Sequence, residues 1–247
     1  LKYLVLDEAD RMLDMGFNDD IAKIITYLPA ERQNLLFSAT MPQKMRALAN
    51  KILKNPVEIN IAISKPPEQI VQKAFIVYEQ QKAGIIKDML GSKRFSKVIV
   101  FCSKKQNVKV LTTELKRAKL AAEEIHSDLD QKSREQYLQD FRNQKTTILV
   151  ATDILSRGID IDDIDLVINY DVPNDGEDYI HRIGRTARAA TTGTAFTLVG
   201  EKEQSKFSTI EELLGAPVFK GVVPAEFGPT PEYKPKAGAR KSFGKRR

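Results

Sequence analysis

Short runs of large aliphatic residues alternate along this chain with longer stretches whose apolar positions recur every three or four residues. The short runs read as buried strands and the longer stretches as helices with one apolar face. Tyr3-Leu4-Val5-Leu6 and Leu35-Leu36-Phe37 are the first two predicted strands. Between them, Met12, Leu13, Met15 and Phe17 lead into Ile21, Ile24, Ile25 and Leu28, a helical spacing stopped by Pro29. Pro42 suits the first turn of a helix carrying Met45, Leu48, Ala49, Ile52 and Leu53, and 57–61 then predicts a strand. Further on, the pattern predicts strands at 70–78, 97–102, 121–126, 146–151, 165–170 and 194–199, and helices at 81–90, 105–118, 131–143, 178–186 and 202–214. Strands alternating with helices of this length indicate an α/β fold with a parallel sheet covered by helices on both faces.

Two prolines in Ser64-Lys65-Pro66-Pro67 stiffen that segment into an extended form and mark 63–69 as an interdomain linker. The expected organisation is therefore a partial first lobe at 1–62, a complete second domain at 70–215, and a tail at 216–247. The first lobe is too short to bury a sufficient core alone. Leu1 begins within a strand, so an upstream segment is expected. From 216 onward, prolines and glycines followed by Lys and Arg predict a disordered basic tail.

Apolar residues make up 42% of the chain and charged residues 29%, as in ordinary globular proteins. No run of 18 apolar residues occurs, so no membrane-spanning helix is expected. Cys102 is the only cysteine and lies in an apolar run, which excludes an intrachain disulfide and suits a reducing cytoplasm. His126, at the end of a strand, reads as structural. The net charge of +6 is uneven: residues 234–247 hold seven Lys/Arg and no acid, leaving 32 basic against 33 acidic residues before them. Such a tail makes salt-sensitive contacts with phosphates or simply keeps the end solvated.

Two clusters carry candidate chemistry. Asp7-Glu8-Ala9-Asp10 directly follows the first strand, and ligands of open α/β sheets bind at the carboxyl ends of strands. One carboxylate there suits Mg²⁺ held through water, and its neighbour suits activation of an attacking water. From these residues alone a solvated turn or helix cap is the stronger reading. The second cluster is 181–188, where Arg182, Arg185 and Arg188 recur every three residues and, on a helix, project to a common side. A guanidinium aimed at a transferring phosphoryl group is worth roughly 10³ to 10⁵ in rate; the alternative is a solvated basic face. Acids at one end and arginines at the other suggest a nucleotide held between two lobes.

Four stretches together resemble motifs II, III, V and VI of the DEAD-box RNA helicases, in that family's order. They are Asp7-Glu8-Ala9-Asp10; Ser38-Ala39-Thr40; Ala151-Thr152-Asp153 with Arg157-Gly158-Ile159-Asp160; and His181-Arg182-Ile183-Gly184-Arg185-Thr186-Ala187-Arg188. The resemblance implies two RecA-like lobes, ATP with Mg²⁺ as cofactors, and RNA as partner. It implies that Asp7 holds Mg²⁺ through water and that Glu8 activates water. Asp10 would couple with Ser38, Thr40, His181 and Arg182, Arg185 and Arg188 would act on the γ-phosphate, and Gly158 and Asp160 would bind the nucleotide. It further implies RNA-backbone contacts from Phe101, Ser103 and Lys104 (motif IV), from Gln131 and Arg134 (a Q-x-x-R element), and from Thr152 and Gly158.

Locally, Gln131 and Arg134 also read as exposed positions on a helix capped by Asp130. Ala187 departs from a glycine common in the family. No two glycines stand five apart, so the phosphate-cradling G-x-x-x-x-G-K-[S/T] pattern is absent from this chain. The leading expectation is an ATP-dependent RNA helicase whose turnover belongs to a longer polypeptide. A non-catalytic RNA-binding module and a related DNA translocase are the other readings, with ribonucleoprotein partners unspecified.

Overall fold

The computed structural model describes residues 1–38, 41–60, 69–92, 95–153, 161, 164–186 and 192–235. The chain divides into two compact units, Leu1–Ser64 and Lys65–Arg247, parting inside the segment read as a linker.

In the first unit, β1 (Tyr3–Leu6) and β2 (Gln33–Leu36) pair in parallel, with Leu6 opposite Leu36. The helical spacing after β1 forms two helices, α1 (Ala9–Asp14) and α2 (Asn18–Thr26), rather than one. Gly16 sits at φ 85° between them, a left-handed conformation that breaks the helix and that glycine adopts without a Cβ penalty. α3 (Gln43–Ile52) completes the unit. Ala9, Ile21, Met45, Leu48 and Ile52 form its small core, packed against Leu6 and Leu36. The other face of the strand pair leaves Tyr3, Val5 and Phe37 more than half exposed.

The strand expected at 57–61 is not present among the described residues. Residues 57–60 are irregular, and Val57 and Ile59 are over 80% exposed. Alternating Val-x-Ile is a strand signal only where a neighbour offers a ladder, and no described strand pairs with it.

The second unit contains β3 (Ile70–Val77), α4 (Glu79–Gly91), β4 (Val98–Phe101), α5 (Lys105–Arg117), β5 (Ala122–Ile125), α6 (Gln131–Arg142), β6 (Ile148–Ala151), β7 (Leu166–Asn169), α7 (Gly176–Ile183), β8 (Gly193–Gly200), α8 (Gln204–Leu214) and β9 (Phe219–Lys220). Its sheet is parallel throughout, in the order β5-β6-β4-β7-β8-β3-β9. Side chains alternate across it as the period of two requires. Val98 and Val100 meet Ile85, Ile86, Leu90, Val108, Leu111 and Leu115 of α4 and α5 on one face. Ile99 and Phe101 meet Leu138 and Phe141 of α6 on the other, where Ala74, Ile76, Ala195 and Val199 pack against α7 and α8. Each buried aliphatic or aromatic side chain contributes about 1.5–3 kcal/mol, so the two-sided cover holds the strand ends firmly.

The tail expected to be disordered from 216 is ordered as far as 235. β9 pairs with β3, and Gly221 N–H donates to the Ala74 carbonyl at 2.8 Å. Gln81 Nε2 donates to the carbonyls of Phe227 (2.7 Å) and Pro229 (3.0 Å). The Gln204 amide donates to the Glu232 carbonyl and accepts from Lys234 N–H, while the Tyr233 hydroxyl donates to Glu211. A proline-rich segment has few N–H groups to satisfy, so side chains reaching its carbonyls can fix it without a ladder. Residues 236–247 lie outside the described residues.

A Cβ built on Gly221 would stand 2.4 Å from Phe75 Cε1, so only glycine lets this strap lie against the sheet. Gly221→Ala should destabilise the second unit by about 1–3 kcal/mol through overpacking, read as a lowered urea midpoint with unchanged slope.

Candidate functional site

The acidic tetrad leaves the carboxyl end of β1. Phe37 N–H donates to the Leu6 carbonyl (2.8 Å) and Ala9 N–H to the Phe37 carbonyl (3.0 Å), so Ser38 emerges beside the tetrad at the same edge. Glu8 occupies the left-handed region at φ 49°, ψ 44°, at the N-cap of α1. A non-glycine residue held there costs on the order of 1–3 kcal/mol, and such strain gathers at functional positions. Asp7 is exposed and its Oδ1 accepts from Glu8 N–H at 2.9 Å, Glu8 is half-buried, and Asp10 is buried with Oδ1 accepting from Arg11 N–H. No group of three His, Cys, Asp or Glu among the described residues forms a metal cage. A lone exposed carboxylate at a strand end fits Mg²⁺ of the kind that keeps its waters and takes its other oxygens from phosphates.

In the second unit, three adjacent strands deliver the remaining candidates to one edge. β4 ends into Ser103 and Lys104, β5 leads to Gln131 and Arg134 at the start of α6, and β6 ends into Thr152. Backbone bonds between the strand ends set their levels: Cys102 N–H donates to the Ala151 carbonyl and Thr152 N–H to the Ile125 carbonyl. Ser103, Lys104 and Gln131 are exposed. Asp130 caps α6 as expected, Oδ1 accepting from Ser133 N–H at 2.8 Å, and these bonds hold its carboxyl below its ordinary range. Gln131 Nε2 donates to Glu135 at 2.7 Å. Three buried polar atoms at this edge, Thr152 Oγ1, Arg134 Nε and His126 Nε2, have no hydrogen-bond partner among the described residues. Lys105 and Lys109 both bond Asp128 and lower its pKa to about 2.

Phe101, expected to contact RNA, does not reach this surface. Its ring is fully buried, with the Arg182 guanidinium 5.3 Å from its centroid, and its carbonyl already accepts from Tyr170 N–H. It belongs to the core because, as the last residue of β4, it points to the face covered by α6.

The arginine cluster is also not one helical face. α7 ends at Ile183 with Gly184 as C-cap. Arg182 turns inward, 1% exposed, its Nε donating to Asp153 Oδ1 (2.7 Å) and its Nη1 to Asn169 Oδ1 (3.2 Å) and the Asp171 carbonyl (3.1 Å). Arg185 lies past the helix end, half-buried, with Nε 3.4 Å from the His181 carbonyl. Thr40, Gly158, Asp160 and Arg188, with Ala187, lie outside the described residues. His126 is structural as expected: it is buried, and its Nδ1 accepts from Asp128 N–H.

Sequence reasoning missed a second buried cation. Lys82 is fully buried, with Nζ 2.9 Å from both Glu79 and Glu203 and 3.6 Å from Asp171. Burial alone would depress its ammonium, but Glu203, Glu79 and Asp171 together hold it above its ordinary value of 10.5. Its position three residues before Ile85 on the apolar stripe of α4 was the available signal. Burial pushes the Cys102 thiol well above its usual range, reinforced by Asp171 and opposed by Arg182 and Lys82. This thiol is inert in the folded protein.

Each unit is thus built on parallel strands, with the acidic tetrad at a strand end in the first and the arginine cluster at and beyond the end of α7 in the second. The family model for the DEAD/DEAH box helicase matches residues 1–48, and that for the helicase conserved C-terminal domain matches 81–190. DEAD-box ATP-dependent RNA helicase 14 of Arabidopsis thaliana is 44% identical over 218 residues, covering 87% of this chain and 35% of that protein. The structure of S. cerevisiae Dbp5 bound to RNA and ADP BeF3 superposes with TM-score 0.80 at 32% identity, covering 90% of this chain and 59% of that one. The isolated C-terminal domain of Dbp5 is 30% identical with TM-score 0.58, and here 62% of this chain covers 90% of that structure. The chain belongs to the DEAD-box RNA helicase family. It spans about a third of the length of the Arabidopsis relative.

Because the folded-state pKa of Lys82 is raised, the stability it contributes is complete below the unfolded value of about 10.5 and is lost as pH rises through the folded value. Lys82→Met should lower the stability of the second unit by about 3 kcal/mol at neutral pH. It should also flatten the fall in stability above pH 10.5 seen in urea titrations of the unsubstituted protein.

Proposed function

We propose that this chain is the RNA-gripping and phosphate-responding part of an ATP-dependent RNA helicase of the DEAD-box type, working in the cytoplasm. The observation that carries this reading is the pair of unpartnered buried polar atoms, Thr152 Oγ1 and Arg134 Nε, at an edge otherwise lined by Ser103, Lys104 and Gln131. A buried polar atom left unpaired costs about 1–3 kcal/mol, and a sugar-phosphate backbone offers the acceptors and hydroxyls that relieve it. Such contacts hold a strand without reading its sequence, and those made to 2′-hydroxyls favour RNA over DNA. Gly158, among residues not described, completes the proposed RNA set.

On the nucleotide side, Asp7 would hold Mg²⁺ through water and Glu8 would take the proton of the attacking water. The ion, when bound, neutralises charge developing on the phosphates. Arg185 and Arg188 would place guanidinium groups on the γ-phosphate, with Gly158 and Asp160 binding the nucleotide. Asp10, Ser38, Thr40, His181 and Arg182 would link nucleotide state to RNA grip. Arg182 would do so from within the fold, where its Nε and Nη1 are engaged by Asp153, Asn169 and Asp171. Local duplex separation follows if one strand is gripped in a bent form only in the ATP state.

The missing phosphate-loop pattern favours one other reading, a non-catalytic RNA-binding module. In both readings this 247-residue chain alone turns over ATP at background. The RNA site is tested by fluorescence anisotropy on a labelled single-stranded oligonucleotide. Thr152→Val and Arg134→Ala should each weaken binding about three- to tenfold, equally for unrelated sequences. Unchanged affinity in both variants would remove the site. In a complete protein carrying a phosphate loop, Glu8→Gln and Arg185→Ala should each abolish RNA-stimulated ATP hydrolysis at least about a hundredfold. Turnover surviving in either variant refutes that residue's role, and absence of turnover in the parent protein selects the binding-module reading.

A further inference from the structure

Asp171 stands two residues past the last residue of β7, the strand lying beside β4 in the sheet. Its carboxylate reaches across to the loop that follows β4: Oδ2 accepts from the backbone N–H of Ser103 at 2.7 Å, with Asn107 Nδ2 of α5 at 3.4 Å. Oδ1 lies 3.6 Å from the buried Lys82 ammonium. The backbone carbonyl of the same residue accepts from Arg182 Nη1 of α7 at 3.1 Å. One residue therefore touches the 103–104 loop, α4, α5 and α7, and its side chain is only 12% exposed. A charge-assisted bond this short is among the stronger kinds and is directional. The Ser103 side chain is exposed, but its amide is fixed from below, so the direction in which Ser103 and Lys104 face solvent follows the Asp171 carboxylate.

We propose that Asp171 is a positioning residue for RNA binding. Tethered by Lys82, it pins the Ser103 amide and so sets the strand-contacting loop in register with the arginine-bearing helix. The proposal rests on the reading above that Ser103 and Lys104 contact RNA. It assigns work to a residue outside the four motif stretches, and it explains why a buried lysine lies beneath an exposed loop. The tether supplies countercharge, while the acceptor oxygen supplies direction.

The two functions separate by substitution. Asp171→Asn keeps an oxygen acceptor for Ser103 N–H but removes the charge facing Lys82. Asp171→Ala removes both. Each should lower the thermal midpoint of the whole chain, because Lys82 loses a partner in each. RNA affinity should split them: Asp171→Asn within about threefold of the parent, Asp171→Ala weaker by about tenfold. Ser103→Ala should weaken binding in the parent and add little in the Asp171→Ala background, where the loop is already misplaced. If Asp171→Ala does not fold, Asp171→Ser takes its place, since its hydroxyl is too short to reach the Ser103 amide.

Amide hydrogen exchange at Ser103 gives a readout that needs no RNA. Protection should persist in Asp171→Asn and vanish in the shorter variant. Equal affinity losses in Asn and Ala, full affinity in Ala, or unchanged Ser103 protection in Ala would each overturn the proposal. Ser103 protection behaving as expected, in a parent chain that binds no RNA, would instead overturn the RNA reading and leave the pinned loop standing.

Discussion

A guanidinium buried at the end of a parallel sheet must be answered by oxygen atoms, and Arg182 is the residue on which the second unit's working edge depends. Its Nε and Nη1 take oxygens from Asp153 at the end of β6 and from Asn169 and Asp171 at the end of β7, and the flat cation lies over Phe101 of β4. Asn169 passes the constraint on, its Nδ2 donating to Thr197 of β8 at 3.2 Å. Four neighbouring strands and α7 are thereby held at one level by a single side chain. The planar guanidinium presents its donors in a fixed fork, so the positions of these oxygens are set by its geometry. Removing one oxygen partner would leave part of the charge uncompensated in a dry setting, which is far more costly than losing a surface pair.

Lys82 makes the same kind of demand from the opposite face of the sheet, and Asp171 serves both cations, carboxylate to lysine and carbonyl to arginine. Glu203 completes the lysine's cage while each of its oxygens also accepts a backbone N–H, from Val172 at 2.9 Å and Gly200 at 3.0 Å. These charges are saturated by design of the chain path rather than by surface pairing. Asp171 and Glu203 thereby tie the chain just beyond β7 and β8 to α4 and α7 through two buried cations.

Most elements of the second unit were legible because a strand buried on both faces shows as an unbroken aliphatic run, and each helix that covers it shows a one-sided stripe. Val98 to Phe101 and the Leu111–Leu115 spacing are of this kind. What could not be read was set by partners distant in sequence. The strap at 216–235 looks like a disordered tail because proline and glycine carry no apolar period. Its order comes from Gln81, Gln204 and Glu211, which offer side-chain bonds and have no signature of their own. Residues 57–60 fail in the reverse way, carrying a strand's alternation with no described neighbour to pair. In the candidate site the residue types were visible but their orientations were not. The three-residue spacing of arginines implies a shared face only while the helix lasts. Gly184 ends it one residue after Arg182, sending Arg182 into the core and Arg185 beyond the helix.

The contrast between what is satisfied and what is not marks the proposed RNA edge more sharply than charge does. Below the edge, Asp153, Arg182, Asn169 and Asp171 are bonded into a closed network, and above it Lys105 and Lys109 are already occupied by Asp128. Arg182 is thus engaged within the fold and Lys105 and Lys109 share one carboxylate, while Lys104 is exposed. Thr152 Oγ1 and Arg134 Nε are buried at this edge without a hydrogen-bond partner among the described residues, as is His126 Nε2. A ligand that supplies an oxygen to both recovers a desolvation penalty already incurred on folding, whatever its sequence of bases. Binding of that kind would be short-ranged and sensitive to the placement of the strand ends.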